Sequence, residues 1–191
     1  IKFINTRHEQ IAAHAADGYA RATNKASVLL SHLSPGLTNA ATGVANAALD
    51  SIPMVVIAGD VPTHYYGKHP HQEVNLHADA SQSEIYRPFV KRAWRVDSPH
   101  LFPEIMEKAF TLAEGGRPGP VLVDVPMDIF STQTDVALWK RVLANTKALQ
   151  KPSLDETVAA QIIERLLSAK QPLLYVGGGI LLADAATEMR E

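Results

Sequence analysis

Cysteine is absent from the 191 residues. That excludes disulfide frameworks, thiolate zinc sites and thiol nucleophiles, and it fits a reducing, cytoplasmic compartment. Charge of one sign is lacking as well. The 18 Lys and Arg against 20 Asp and Glu leave a formal charge of −2, with both signs dispersed, so nothing points to nucleic acid or to an anionic membrane surface. No apolar run reaches membrane-spanning length, and the start does not read as a signal peptide. There is no internal repeat and no low-complexity tract. What remains is ordinary globular composition, 46% hydrophobic and 20% charged, enough for one full domain and part of another. The sequence opens without Met in an apparent strand and stops at Met189-Arg190-Glu191 in an apparent helix, so both ends read as cuts through a longer protein.

Hydrophobic patterning gives the layout. Ile1-Lys2-Phe3-Ile4 is a short β-rich run, and the Ala-rich stretch from Ile11 to Ala22 reads as a helix that has Glu9 in its first turn. After a turn at Asn24-Lys25, Ser27 to Ser31 reads as a strand buried on both faces. His32-Leu33-Ser34-Pro35-Gly36 is then a loop, and Thr38-Asn39 opens a second Ala-rich helix to about Asp50. Met54 to Gly59 and Val121 to Val125 are further buried strands, separated by an irregular strand around Arg87 to Val96 and a helix from Pro99 to Ala113. Strand, loop, helix and strand at this pitch predict an α/β fold with a parallel sheet flanked by helices. From Pro126 to Pro152 the pattern loosens into a linker. Ser153-Leu154-Asp155-Glu156 matches a capping box with Ser153 as N-cap, and Pro172 to Val176 reads as a strand turning at Gly177-Gly178-Gly179. That is the opening of a second α/β domain.

Several residues could carry chemistry. Glu9 stands just past a strand, where ligands sit in open α/β sheets, and a first-turn carboxylate is favoured by the helix dipole. A plain capping acid is the alternative. The long loop from Asp60 to Asp79 holds His64, His69, His71 and His77; loops of that length are usually functional. Metal chelation by this loop lacks an acid at convincing spacing. Ser34 with His32 and Asp60 suggests a hydrolase triad, but no Gly-X-Ser-X-Gly elbow surrounds Ser34. The three glycines at 177–179 suit a nucleotide phosphate without completing a dinucleotide fingerprint. Trp94 and Trp139 read as packing residues.

Four stretches taken together resemble one family. They are Arg7-His8-Glu9-Gln10 with Asp17-Gly18-Tyr19-Ala20-Arg21; Ser34-Pro35-Gly36-Leu37-Thr38-Asn39; Asp50-Ser51-Ile52-Pro53 running into Gly59; and Gly116-Arg117-Pro118-Gly119-Pro120-Val121 to Pro126. Their order and spacing are similar to the amino-terminal, pyrimidine-binding domain of thiamine diphosphate enzymes of the acetohydroxyacid synthase and benzoylformate decarboxylase group. The resemblance divides the chain into a pyrimidine-binding domain at 1–128, a linker at 129–152 and the start of a central domain at 153–191. It implies a lyase or transferase that forms or cleaves a carbon–carbon bond next to a carbonyl. The substrate would be a small 2-oxo acid or diketone. Thiamine diphosphate would be held with Mg2+ ligands from outside this chain, between copies of the chain in a homodimer or homotetramer. As it stands, the isolated stretch would be inactive.

Residue by residue, the resemblance makes Glu9 the glutamate that hydrogen-bonds N1′ of the aminopyrimidine, so that the cofactor can lose its C2 proton. Pro35, Gly36 and Asn39 match the loop and helix start packed against that ring. His71-Gln72-Glu73 matches a Phe-Gln-Glu, which places Gln72 beside the reactive carbon. Lys91 matches a basic residue of flavin-containing members and gives thin support for FAD. The chain departs from the synthase form at three positions: Ser34 stands for Gly, His32 for a small residue and His71 for Phe. Benzoylformate decarboxylases have an active-site His at position 32, and cyclohexane-1,2-dione hydrolases are similar there. His32 and His71 therefore become candidate acid/base or hydrogen-bonding groups. They favour decarboxylation, or hydrolysis of a 1,2-diketone, over plain acetolactate synthesis. A partner-dependent, non-catalytic half-site subunit is a further alternative.

Overall fold

The computed structural model describes residues 1–68, 71–74, 82–146 and 154–190. His69, His77 and Ser153 lie outside them. Two compact units are present, Ile1–Leu149 and Gln150–Glu191.

The first unit is built on four parallel strands in the order β1-β2-β4-β3. They are β1 (Ser27–His32), β2 (Met54–Asp60), β3 (Ala93–Arg95) and β4 (Pro120–Pro126). In β2 and β4 the continuous apolar runs do what such runs do in a sheet covered on both sides: β4 is buried along its whole length. In β1 the expectation of two buried faces is corrected. Burial alternates along it, with Val28 and Leu30 half-exposed, because β1 is the edge of the sheet among the described residues and no helix lies over its outer face.

Helices α1 (Glu9–Thr23) and α2 (Leu33–Leu49) pack on one face with a core that includes Ala13, Leu37, Val44, Met54 and Leu122. Helix α3 (Phe102–Glu114) packs on the other face against Val55, Val96 and Val123. A short helix, α4 (Met127–Phe130), follows β4, and α5 (Val136–Asn145) lies against α3, with Trp139 edge-on to Phe102 at 5.6 Å. The stretch read as a linker thus carries helix packed on the first unit; its short apolar repeat, Val136, Trp139 and Leu143, is too brief to stand out by period.

Other expectations change in detail. Ile1–Ile4 forms no strand; Phe3 and Ile4 line a cleft instead. Helix α2 begins five residues earlier than predicted, at Leu33, so the Pro-Gly stretch is its first turn. Pro35 is tolerated there because first-turn N–H groups have no acceptor within the helix. Lys91 donates from Nζ to the carbonyls of Leu112 and, at 2.8 Å, of Gly115, capping the end of α3.

The second unit holds α6 (Glu156–Ser168) and a short α7 (Gly179–Leu182). Asp155, not Ser153, is the N-cap of α6: its carboxylate accepts from Thr157 N–H at 2.9 Å and Val158 N–H at 3.1 Å. Pro172 to Val176 has no strand partner among the described residues and is not a strand; Tyr175 is fully exposed.

Much of what the four motifs supply is framework. Arg21 donates from Nε to Asp17 at 2.9 Å and from Nη2 to Asp50 at 2.7 Å, and Asn46 donates a second hydrogen bond to Asp17. Arg117 donates to the Ser51 hydroxyl at 2.7 Å. These bonds fasten α1, α2 and the turn before β4 at the end of the sheet away from Glu9.

Close packing of the two helices depends on Gly43. A β-carbon there would stand 2.5 Å from Cβ of Ala13 and 3.1 Å from its backbone, which cannot yield. Gly43→Ala is therefore expected to lower the melting temperature by several degrees in thermal denaturation. The overpacking penalty, about 1–3 kcal/mol, exceeds the gain of up to about 1 kcal/mol in helix propensity.

Candidate active site

The site lies at the carboxyl ends of β1 and β2, where α/β sheets bind ligands. A cleft of about 480 Å³ is lined there by Phe3, His8, Glu9, His32, Asp60 and Phe130 among others. Glu9 is the first residue of α1. His8 caps that helix, its Nδ1 accepting from Gln10 N–H at 3.2 Å. Glu9 is half-buried, and its Oε2 accepts from Asn39 Nδ2 of α2 at 3.0 Å. Its carboxyl is held below the ordinary glutamate value, first by its own backbone N–H, then by the Asn39 amide. A carboxylate that stays ionised while half-buried suits a partner that donates a hydrogen bond.

Gly36 completes the floor. A β-carbon on Gly36 would fall 2.5 Å from Ser31 Oγ and 3.6 Å from Glu9 Oε1. The Ser31 hydroxyl is buried without a hydrogen-bond partner among the described residues. Only glycine lets α2 start this close to β1 and to the Glu9 side chain. His32 ends β1, exposed, with Nδ1 at 3.5 Å from where a β-carbon of Gly59 would be.

Residues 1–82 match the family model described as "Thiamine pyrophosphate enzyme, N-terminal TPP binding domain". Along its whole length the chain is 41% identical to an acetolactate synthase large subunit of Parasynechococcus marenigrum, 38% identical to the acetolactate synthase isozyme 3 large subunit of Escherichia coli, and 37% identical to an acetolactate synthase large subunit of Corynebacterium glutamicum. It covers 30%, 32% and 29% of those proteins respectively, so it spans about a third of the length of the curated relatives it matches.

Residues 1–82 are an amino-terminal domain of the thiamine diphosphate enzymes, and the chain as a whole is similar to acetolactate synthases.

The residues around Glu9 fit the family's aminopyrimidine. The ionised acid lines the cleft, Asn39 steadies its Oε2, and bare Gly36 lies beside its Oε1. Pro35 and Asn39 are exposed on the first turns of α2, and Gly36 is buried beneath them. The structure thus brings Glu9, Gly36 and Asn39 into contact and puts His32 on the same cleft. His71 and Gln72 do not line that cleft. Both are exposed, Gln72 with a left-handed backbone at φ 67°, and their segment is tied to α2 through Val74. His64 stacks on Tyr65. Among the described residues no group of three or more His, Asp or Glu side chains could hold a metal ion.

Ser34 is no nucleophile. It is fully buried and donates its proton to Gln82 Oε1 at 3.1 Å. Asp60 likewise has other partners: it accepts from Val61 N–H at 2.8 Å and from Arg95 Nη2 at 3.3 Å, while Arg95 lies over the Tyr66 ring and donates to its hydroxyl at 3.0 Å.

A buried polar group behind the cleft escaped the reading of the sequence. Gln82 Nε2 donates to Asp124 Oδ1 and to the carbonyl of Gly59, both at 2.8 Å. Asp124 is fully buried in the middle of β4, and its Oδ2 has no partner among the described residues. Burial, and after it the charge of Asp60, push its carboxyl up to about 7. The available signal was an aspartate inside the apolar run Val121 to Val125, since a charge in a doubly covered strand needs a partner.

The raised value makes stability fall as pH rises. Between the unfolded value of 3.8 and about 7 the folded protein keeps a proton that the unfolded chain has lost. Asp60, raised by burial in the same direction, adds to the effect. Urea unfolding should show a loss of a few kcal/mol between about pH 4 and about pH 7, because each pH step across that window costs about 1.4 kcal/mol per retained proton. Asp124→Asn should flatten most of that slope.

Proposed function

We propose that this chain supplies the pyrimidine-holding half of an enzyme that forms or cleaves a carbon–carbon bond beside a carbonyl, in the manner of the acetolactate synthases it is similar to. One observation carries the reading: Glu9 is an ionised, half-buried carboxylate on the wall of the cleft, with one oxygen fixed by Asn39. Thiamine diphosphate, when bound, supplies a nucleophilic carbon that adds to the substrate carbonyl. Glu9 would share a proton with a ring nitrogen of the cofactor through Oε1, Asn39 would hold Oε2, and Pro35 with Gly36 would bear the flat of the ring. His32, on the wall of the same cleft, would donate a hydrogen bond to a substrate oxygen. Gln72, exposed and off the cleft in the single chain, would orient a second substrate oxygen in the site that a second copy completes, with His71 at its side.

The substrate class proposed is a small 2-oxo acid. The pyrimidine-binding domain at 1–128 and the start of the central domain at 153 are kept in this reading, with α5 of the stretch between them packed on the first unit and a second copy of the chain completing each site in a dimer or tetramer. Magnesium and the diphosphate are assigned to residues beyond this sequence. FAD gains no support from Lys91, which is engaged by the end of α3. Hydrolysis of a 1,2-diketone ranks second. His32 on the cleft wall favours it, while the relatives favour carboligation.

Glu9→Gln in the holoprotein should slow exchange of the cofactor's C2 proton, followed by NMR, about a hundredfold or more; an unchanged rate would overturn the assignment. Product analysis with pyruvate, benzoylformate and a cyclic 1,2-dione separates the chemistries. Acetolactate from pyruvate is the expected outcome, whereas a ring-opened acid from the dione would put the hydrolytic reading first.

A further inference from the structure

Three pieces of chain meet at one hydroxyl. Ser34, on the first turn of α2, is fully buried; its Oγ donates to Gln82 Oε1 at 3.1 Å and accepts from the Val74 backbone N–H at 3.0 Å. Gln82 is 2% exposed and is fixed in turn by Gly59, near the end of β2, and by Asp124 of β4. A hydroxyl has one proton to give and two lone pairs. Here the proton is committed to the sheet side and a lone pair to the segment that carries Gln72.

That segment needs a tether. Gln72 has φ 67°, a left-handed conformation that side-chain-bearing residues rarely adopt, and both His71 and Gln72 are exposed. Val74, two residues on, is itself half-exposed, so its N–H bond to a fully buried oxygen joins a surface segment to the rigid sheet. We propose that Ser34 is a positioning residue for substrate, and that its hydroxyl fixes residues 72–74 so that the Gln72 amide stands in one place relative to the start of α2. This rests on the reading of Gln72 given above. Ser34 touches no substrate; it acts through Val74. Gln82 and Asp124 keep the hydroxyl turned the right way: Asp124 holds the Gln82 amide nitrogen, which leaves its Oε1 facing Ser34. A glycine at position 34, the synthase form, could offer no such hydroxyl.

The test uses Ser34→Ala in the holoprotein, with Ser34→Gly beside it because a smaller residue cannot fail by clashing. Hydrogen–deuterium exchange at the Val74 amide should quicken by about tenfold, the effect expected for one lost hydrogen bond. KM for the 2-oxo acid should rise by a similar factor, more than kcat falls. Exchange of the cofactor's C2 proton, which depends on Glu9, should stay at the unsubstituted rate. Unchanged protection of Val74 would overturn the proposal, and so would a freed Val74 with an unchanged KM. Loss of C2 exchange in the variants would also overturn it, since Ser34 would then act on the cofactor side. If the unsubstituted holoprotein itself showed no C2 exchange, the parent reading would fall, while the Val74 amide would still report whether Ser34 holds the segment.

Discussion

Helix α2 approaches its neighbours at two points where a methyl group has no room, and the candidate site depends on that approach. At Gly43 the neighbour is Ala13 of α1; at Gly36 it is Ser31 at the end of β1, with Glu9 just beyond. The first contact sets how near the two helices lie. The second brings the start of α2 down onto the carboxyl end of the sheet, which is why Asn39 can reach Glu9 across 30 positions of sequence. Dense interiors transmit such changes with little loss. A carbon added at either glycine would be felt at the carboxylate.

The two sides of the sheet end handle polarity differently. On the cleft side, Glu9 keeps its charge with a backbone N–H and one amide. Asp60 at the cleft wall and Asp124 behind it sit in the sheet with Arg95 and Gln82 as partners, and burial works against their ionisation. Buried polar chains of this kind fix geometry only while each member is satisfied. Asp124 Oδ2 and the Ser31 hydroxyl, both without partners among the described residues, are where this arrangement is incompletely balanced.

The sequence made the parallel sheet legible because the runs at Met54 and Val121 are apolar throughout, as strands covered on both faces usually are. Glu9 could be placed in the first turn of α1 because an Ala-rich stretch follows it. The start of α2 was missed: proline and glycine read as a loop, and only tertiary contact reveals that they form a helical turn whose missing N–H and missing β-carbon are both useful there. The alternating exposure of β1 could not be read from Val28-Leu29-Leu30, since apolar residues on both faces say nothing of whether a layer covers each. Ser34 was weighed as a nucleophile because its chemistry is visible in a sequence, whereas its partner Gln82 lies 48 residues away and belongs to no motif. Long-range hydrogen bonds between isolated polar residues leave no period and no spacing to detect.

The bare outer margin of β1 bears on handling. Val28 and Leu30 are about half-exposed beside a backbone that pairs only with β2 among the described residues. An open ladder flanked by branched side chains is a template for another backbone, and natural sheets blunt such margins with charge, proline or a covering layer. None of the three is present along Val28 to Leu30 among the described residues, so this margin is open to intermolecular strand addition when the stretch is concentrated by itself.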